Sequence, residues 1–468
     1  MKNILFAASE CAPYAKSGGL GDIISSLPKA LNDKKHRVTV MLPLYEQIKE
    51  SEVFNAMVEV AEYNTTVVWR NKQMRLFKYV KDGITYLFVD NKYYFGRDNL
   101  YGYFDDAERF IYFSNAIMDY LNETDEVYDV LHCHDWQMGS LVASAKILKP
   151  QPFKIVYTIH NIHYQGWFNT DDYDNLIELD RIHFDGFLFN GQMNLMKAAI
   201  FHADVVTTVS ETYANEILSP FFGEGLENLL YSRYDDLYGV RNGLDTQSYD
   251  PNRDRSITAR YRTSRKSKMR NKLALQHEYG FEVSEDIPMY GLVTRLIEQK
   301  GIDLIMRIFE EFMDTHPEAQ FVMVGNGEEQ YEDYFRMLES KYPDRVRATI
   351  GFSEDLARKI YASSDFFLMP SLFEPCGLGQ LIAIRYLTLP IVRETGGLRD
   401  TVTPFNEFDM SGNGFSFANY NAHDFLNVLN YSYDVFYDDA AMKALFVNMK
   451  SSKLGWDTSA DQYIKIYE

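Results

Sequence analysis

Three cysteines in 468 residues are too few, and odd in number, for a disulfide framework. Cys11, Cys133 and Cys376 also lack the spacing of a structural zinc site. Long apolar runs are missing as well. The first, Ile4 to Ala8, gives way to Ser9-Glu10 and is too short for a signal-peptide core; no run approaches the roughly 18 residues that span a bilayer. Positive charge is in deficit: 47 Lys+Arg against 67 Asp+Glu leaves a net charge of −20. With no basic block, a nucleic-acid or anionic-membrane partner is disfavoured, because both need a positive surface. Neither GxGxxG nor a Walker A loop follows an early strand, which argues against nicotinamide and ATP chemistry. What these absences leave is a soluble chain expected in a reducing cytoplasm. At about 150 residues per domain, its length predicts two or three domains.

What is present is a long alternation of short apolar runs with helical patterns, the pattern of a doubly wound α/β protein. Asn3 to Ala8, Arg37 to Leu42, Val130 to His134, Lys154 to His160 and Asp204 to Ser210 are β-branched and apolar without polar alternation, as parallel strands covered on both faces require. Between Val67 and Val89 two strand-like runs flank Lys81-Asp82-Gly83, which predicts an antiparallel hairpin. A second series of strands follows at Tyr290 to Thr294, Gln320 to Gly325, Arg347 to Ile350, Phe366 to Pro370 and Pro390 to Arg393, with helices at Ile302 to Met313 and Gln330 to Lys341. The Arg-rich stretch Asp250 to Lys272 is expected on loops and a surface helix, and the domain boundary falls near Asn242-Gly243. The domains expected are residues 1–243, joined by a C-terminal helix at about 455–468, and residues 244–454.

Lys16-Ser17-Gly18-Gly19-Leu20-Gly21-Asp22 follows the first strand, and Glu394-Thr395-Gly396-Gly397-Leu398-Arg399-Asp400 echoes it. Glycines let a backbone approach an anion, and a helix start offers free N–H groups; the plain alternative is a turn leading into a helix. Arg295 ends one strand, and Lys300 follows five residues on, before a helix. Two cations there suit a diphosphate, the Arg as a fork and the Lys as a point charge. Alternatively, Glu298 neutralises one of them on a solvated loop. Phe373-Glu374-Pro375-Cys376-Gly377-Leu378-Gly379-Gln380 also follows a strand and places a carboxylate beside two glycines. Glu374 either faces a ligand or caps a helix, and Cys376 is more readily packing than nucleophile. His132-Cys133-His134-Asp135-Trp136 and Thr158-Ile159-His160-Asn161 end adjacent strands. Side chains alternate faces along a strand and no third acidic cluster completes a site, so hydrogen bonding to a polar substrate by His160 and Asp135 is favoured over a metal. Trp136 and the Tyr-rich stretch Tyr93 to Phe104 suit sugar faces, though most single aromatics are core.

Together these segments resemble glycosyltransferase family 5, the bacterial glycogen synthases and plant starch synthases. The family's motifs appear in order at Lys16 to Leu20, His132 to Trp136, Thr158 to Asn161, Asn242 to Asp245, Arg295 to Gly301, Glu374 to Leu378 and Thr395 to Val402. The resemblance implies a GT-B fold, two Rossmann-like domains facing a deep cleft that closes on the donor, with the last helix, carrying Trp456, returning to the first domain. It implies transfer of glucose from ADP-glucose to the non-reducing 4-hydroxyl of an α-1,4-glucan, with retention, no metal and no cofactor. On that reading Arg295, Lys300, Glu374 and His160 are catalytic. Lys16, Gly18, Gly19, Asn242, Gly351, Cys376, Gly377, Leu378 and Gly379 bind the donor. Glu10, Asp135, Trp136 and Asn161 lie on the acceptor side. A double displacement needs a carboxylate behind the anomeric carbon; the family has no accepted one, so internal return on the same face is the expected route. Two positions depart from the family pattern, Gly379 where Thr or Ile is frequent and Leu387 in place of Gly.

The competing readings are a GT-B transferase using a UDP- or GDP-sugar or another acceptor, a non-catalytic glucan-binding protein, and an NAD-dependent oxidoreductase. Ile382 stands where retaining enzymes of the related large family carry a second Glu, which favours family 5.

Overall fold

The computed structural model describes residues 1–468. The chain divides into two compact units, Met1–Gly243 with Trp456–Glu468, and Leu244–Gly455.

The strands of the first unit, in chain order, are β1 (Asn3–Ala7), β2 (Arg37–Pro43), β3 (Val58–Val67), β4 (Arg70–Lys81), β5 (Ile84–Asp90), β6 (Val130–His134), β7 (Lys154–Ile159), β8 (Trp167–Phe168), β9 (Leu188–Phe189), β10 (Gln192–Asn194), β11 (Val205–Thr208) and β12 (Leu237–Gly239). Nine of them form one sheet in the order β12-β11-β7-β6-β1-β2-β5-β4-β3; β8, β10 and β9 form a small separate sheet. From β12 to β5 all neighbours are parallel, while β4 and β3 are added antiparallel at one edge. The central strands are buried throughout, as their unalternating composition requires. The Asp-Gly turn between β4 and β5 is present, with positive φ at Asp82 and Gly83. The β3–β4 turn was not expected: it is made by Val68 at φ 54° and Trp69, which carry none of the usual turn residues. The helix Asp457–Tyr467 completes this unit with Trp456, Tyr463 and Tyr467 buried in its core.

The second unit holds β13 (Met289–Val293), β14 (Gln320–Gly325), β15 (Val346–Ile350), β16 (Phe366–Met369), β17 (Leu389–Arg393) and β18 (Phe415–Phe417), all parallel, in the order β15-β14-β13-β16-β17-β18. Helices Ile302–Thr315 and Glu329–Lys341 pack against this sheet through apolar faces.

One expectation fails here. The charges of Asp250 to Lys272 are expected on loops and a surface helix, yet Lys268 and Lys272, one turn apart on the helix Arg265–Tyr279, are fully buried. Lys272 Nζ pairs with Asp365 at 2.7 Å. Lys268 Nζ donates to the Ala362 carbonyl at 3.0 Å, the Tyr361 carbonyl at 3.3 Å and Thr388 Oγ1 at 2.7 Å. Burial pulls the Lys268 ammonium down to about 7, an effect the Asp365 carboxylate opposes. Composition alone cannot show that a charge has three acceptors waiting inside. No helix is long and apolar enough to cross a membrane, and all three cysteines are buried and form no disulfide.

Candidate active site

In each unit the strand order reverses at one point, between β1 and β6 in the first and between β13 and β16 in the second. Loops leaving the carboxyl ends of such strand pairs diverge and leave a crevice where open α/β sheets bind ligands. Glu10 and Asp135 follow β1 and β6, and Arg295, Lys300 and Glu374 follow β13 and β16.

In the second unit Arg295 leaves the end of β13 and Glu374 lies five residues beyond β16. Lys300 Nζ meets Glu374 Oε2 at 2.6 Å, with both side chains largely buried. Ser371 Oγ donates to the same oxygen at 3.3 Å, and Oε1 is left without a partner. The two loops are joined by backbone: the Leu372 amide donates to the Gln299 carbonyl at 2.9 Å, and Gly301, at φ 71°, packs so closely on the Pro370 carbonyl that a Cβ would overlap it. Arg295, by contrast, is exposed and its guanidinium makes neither hydrogen bond nor ion pair. Its backbone is fixed from the other side. The Leu296 amide donates to the Asn326 carbonyl at 2.8 Å, and Gly325 and Gly327 lie against the Thr294 and Leu296 carbonyls too closely for any side chain. Gly351 follows β15 and donates to the Gly325 carbonyl at 3.0 Å; at φ 140° it faces open space.

The loop Cys376 to Gly379 leads into the helix Gly379–Arg385. Cys376 is buried, and Gly377 takes φ 70° with Gln380 against it. Gly379 is tightly packed: a Cβ would lie 3.1 Å from Met369 Sδ and from a Phe367 ring carbon. The second departure also has a structural counterpart, since Leu387 is buried with φ 58°, the left-handed backbone that glycine adopts without cost.

In the first unit both oxygens of Glu10 are engaged. Oε2 accepts from the Ser17 amide at 2.7 Å and the Gly18 amide at 3.1 Å; Oε1 accepts from Ser17 Oγ at 2.7 Å and the Tyr101 hydroxyl at 2.8 Å. Glu10 therefore holds the Ser17–Gly18 loop in place. Lys16 pairs with Asp22 at 2.8 Å. Gly18, at φ −149° and ψ −163°, caps the helix Gly19–Asp33, and a Cβ on Gly18 or Gly19 would meet nothing within 4 Å. The protein itself does not require glycine at either position.

Asp135, at the end of β6 with φ 58°, accepts from the His160 amide at 2.7 Å. Burial raises its carboxyl to about 7; the His160 and Asn161 amides oppose that rise and the Glu10 carboxylate adds to it. Burial holds His160 down at about 3, a neutral imidazole at physiological pH. Its Nε2 lies 3.0 Å from Nδ1 of His134, while its Nδ1 is buried without a partner. Asn161 accepts from the His163 amide through its side chain. Trp136 sits edge-on to Phe110 at 5.3 Å and covers Gly166, where a Cβ would strike its ring. Asn242, among the last residues of this unit, buries both amide atoms without partners.

Sequence reading missed Ser371, His134 as the partner of His160, and the Gly325-Asn326-Gly327 support of Arg295. Only the last carried a signal, a Gly-x-Gly after a strand. No group of three or more His, Cys, Asp or Glu side chains is arranged to hold a metal ion.

Known proteins are similar to this chain along nearly its whole length. The profile described as "Starch synthase catalytic domain" matches residues 3–232, and "Glycosyl transferases group 1" matches residues 281–433. A glycogen synthase of Oceanobacillus iheyensis is 47% identical over 100% of this chain and 98% of its own. Another, from Exiguobacterium sibiricum, is 44% identical over 99% and 98%. The catalytic domain of starch synthase IV from Arabidopsis thaliana, solved bound to ADP and acarbose, superposes with a TM-score of 0.92 at 31% identity, covering 100% of this chain and 98% of that one.

Proposed function

The chain belongs to the glycogen synthase and starch synthase family, glycosyltransferase family 5, with its two-unit α/β GT-B fold, and we propose that it transfers glucose from ADP-glucose to the non-reducing 4-hydroxyl of an α-1,4-glucan. The observation that carries this reading is the buried Lys300–Glu374 pair, which joins the loops that follow β13 and β16 at the strand-order reversal, the first of these loops also carrying the exposed Arg295.

Arg295 and Lys300 are proposed to hold the donor diphosphate and to stabilise the charge that grows on it as the glycosidic bond breaks. An exposed, unpaired guanidinium needs to break no internal contact before it does so. The open positions at Gly18, Gly19 and Gly351, the amides from Cys376 to Gly379, and Lys16 and Asn242 complete the proposed donor contacts. Glu374 is assigned to the sugar hydroxyls through its free Oε1. With Oε2 neutralised by Lys300, it is a poor nucleophile, and retention is assigned to internal return: the leaving phosphate takes the proton of the incoming hydroxyl on the face it departs from. His160 and Asp135 are proposed to orient the glucose and the acceptor, with Glu10, Trp136 and Asn161 shaping the acceptor side. The reaction needs no metal or other cofactor on this scheme. Positioning and charge stabilisation carry the acceleration.

The test is incorporation of labelled glucose into glycogen, with ADP-glucose and UDP-glucose offered in parallel, with and without EDTA. Transfer from ADP-glucose that survives EDTA and yields α-1,4 linkages is the expected result. Transfer from UDP-glucose alone would reassign the donor, and no transfer by folded protein would remove the reading.

A further inference from the structure

His132 and His134 alternate along β6 onto one face, with ring centroids 4.1 Å apart. On His132 the direction of every hydrogen bond can be fixed. Nδ1 lies 2.8 Å from the Tyr467 hydroxyl, and Nε2 lies 2.6 Å from Thr158 Oγ1. That oxygen is 2.6 Å from Thr207 Oγ1, which reaches the Tyr157 carbonyl at 3.4 Å. A carbonyl can only accept. Thr207 therefore donates to it, Thr158 donates to Thr207, His132 donates through Nε2–H to Thr158, and Tyr467 donates to Nδ1. The reverse order would leave the hydrogen of the buried Tyr467 hydroxyl with no acceptor.

His134 and His160 form a second pair, Nδ1 to Nε2 at 3.0 Å, and their outer nitrogens are both buried and unpartnered. Both rings are neutral: burial is the main cause, and for His134 the neighbouring His132 and His160 rings add to it. Two proton arrangements fit that distance. If His160 donates, His134 carries an N–H at Nε2 in a fully buried position beside the Phe6 ring, 5.2 Å away, with no acceptor. If His134 donates, only a lone pair is left there. The free N–H then sits on His160, the one ring of the pair with some exposed surface. Either arrangement leaves one buried N–H without an acceptor; on His160, at 9% exposure, a bound substrate oxygen can supply that acceptor, whereas on His134, at 0%, nothing from outside can.

We propose that His134 is a positioning residue that fixes His160 as its Nδ1–H tautomer, so that His160 presents a hydrogen-bond donor to a substrate oxygen. The role in catalysis rests on the glucosyl-transfer reading; the tautomer does not. His132, on β6, and His160, just past the end of the neighbouring β7, then carry opposite tautomers, each set by the partner on the far side of its ring.

Long-range 1H–15N correlation spectra of the full chain labelled at histidine, at neutral pH, test this directly. His132 should be protonated at Nε2, and His134 and His160 at Nδ1. His134→Phe keeps an aromatic ring beside Phe6 and His132 but removes the donor. His160 should then shift toward Nε2–H, and kcat should fall roughly tenfold with the glucan KM held within about twofold. His134→Asn, whose amide N–H falls near the lost Nδ1–H, should restore the His160 signal and most of the rate. Wild-type His160 protonated at Nε2 overturns the proposal. So does an unchanged tautomer or an unchanged kcat in the folded His134→Phe protein. If the wild type transfers nothing from ADP-glucose, the functional reading falls, and the wild-type spectra still decide the tautomer.

Discussion

Two loops of nearly the same sequence, Lys16 to Asp22 and Glu394 to Asp400, use their paired glycines in opposite ways. Each follows a strand and opens a helix, Gly19–Asp33 in one unit and Gly396–Thr401 in the other. In the first, Gly18 and Gly19 have unstrained backbone and face open space. In the second, Gly396 takes φ 44°, and a Cβ on Gly396 or Gly397 would overlap the Glu374 or Cys376 carbonyl; the Gly397 amide donates to Glu374 at 3.1 Å and to Pro375 at 3.2 Å. One pair faces open space. The other lets the protein press its own backbone into the loop that carries Glu374. A Gly-Gly signal therefore reports that a backbone is approached closely, and only the surroundings tell by what.

The comparison can be broken most severely at Gly397. Gly397→Ala should displace the Glu374 loop, costing about 3 kcal/mol of stability and nearly all transfer, seen together in a denaturation curve and a labelled-glucose assay. Glu374→Gln separates those two losses. It keeps the shape, so transfer should drop roughly 100- to 1,000-fold while the unfolding midpoint stays close to wild type; wild-type turnover would remove Glu374 from the mechanism. Gly19→Ala is the mirror case. Stability should hold or rise by up to about 1 kcal/mol, since alanine favours a helix, while the ADP-glucose KM rises roughly tenfold from lost close approach. Equal KM values would mean that the open space at Gly19 is not used by the donor.

The smallest effect expected is a pH dependence at Asp135. Its folded carboxyl titrates near 7 and its unfolded one near the ordinary value, so between them the unfolded chain binds fewer protons. This group therefore lowers stability as pH rises from about 4 to about 7. His160, held at about 3, acts in the other direction, and its contribution is lost as pH falls below the ordinary imidazole range. Asp135→Asn should unfold at a temperature that gains on wild type from pH 4.5 to pH 7.5, on the order of a few degrees. A constant difference across that range would place the Asp135 carboxyl at its ordinary value.

Much of this was legible in advance, for a definite reason. Buried parallel strands advertise themselves as unbroken β-branched runs, so β6 and β14 could be delimited to the residue from composition. The edge strand β3 could not, because Val58 to Val67 is half polar and its turn is built from Val68 and Trp69. Arg295, Lys300 and Glu374 could be named as candidates because charges at the ends of apolar strands have few structural uses. Glu10 could be named, but not its grip on Ser17 and Gly18, since a carboxylate reveals nothing in sequence about which amides it will meet. The His132–Tyr467 bond joins residues 335 positions apart, beyond any local pattern.

Lys268 and Lys272 give the second unit an internal clock for its own opening. Most of the other lysines of the chain offer their amines to water; these two are sealed, one against Asp365 and one against two carbonyls and a hydroxyl. An acylating reagent should mark surface lysines within its ordinary reaction time and reach this pair only when the helix Arg265–Tyr279 lifts away. The lag between the two groups of tagged peptides, followed by mass spectrometry, then times how often that unit exposes its interior under conditions where the protein is otherwise folded.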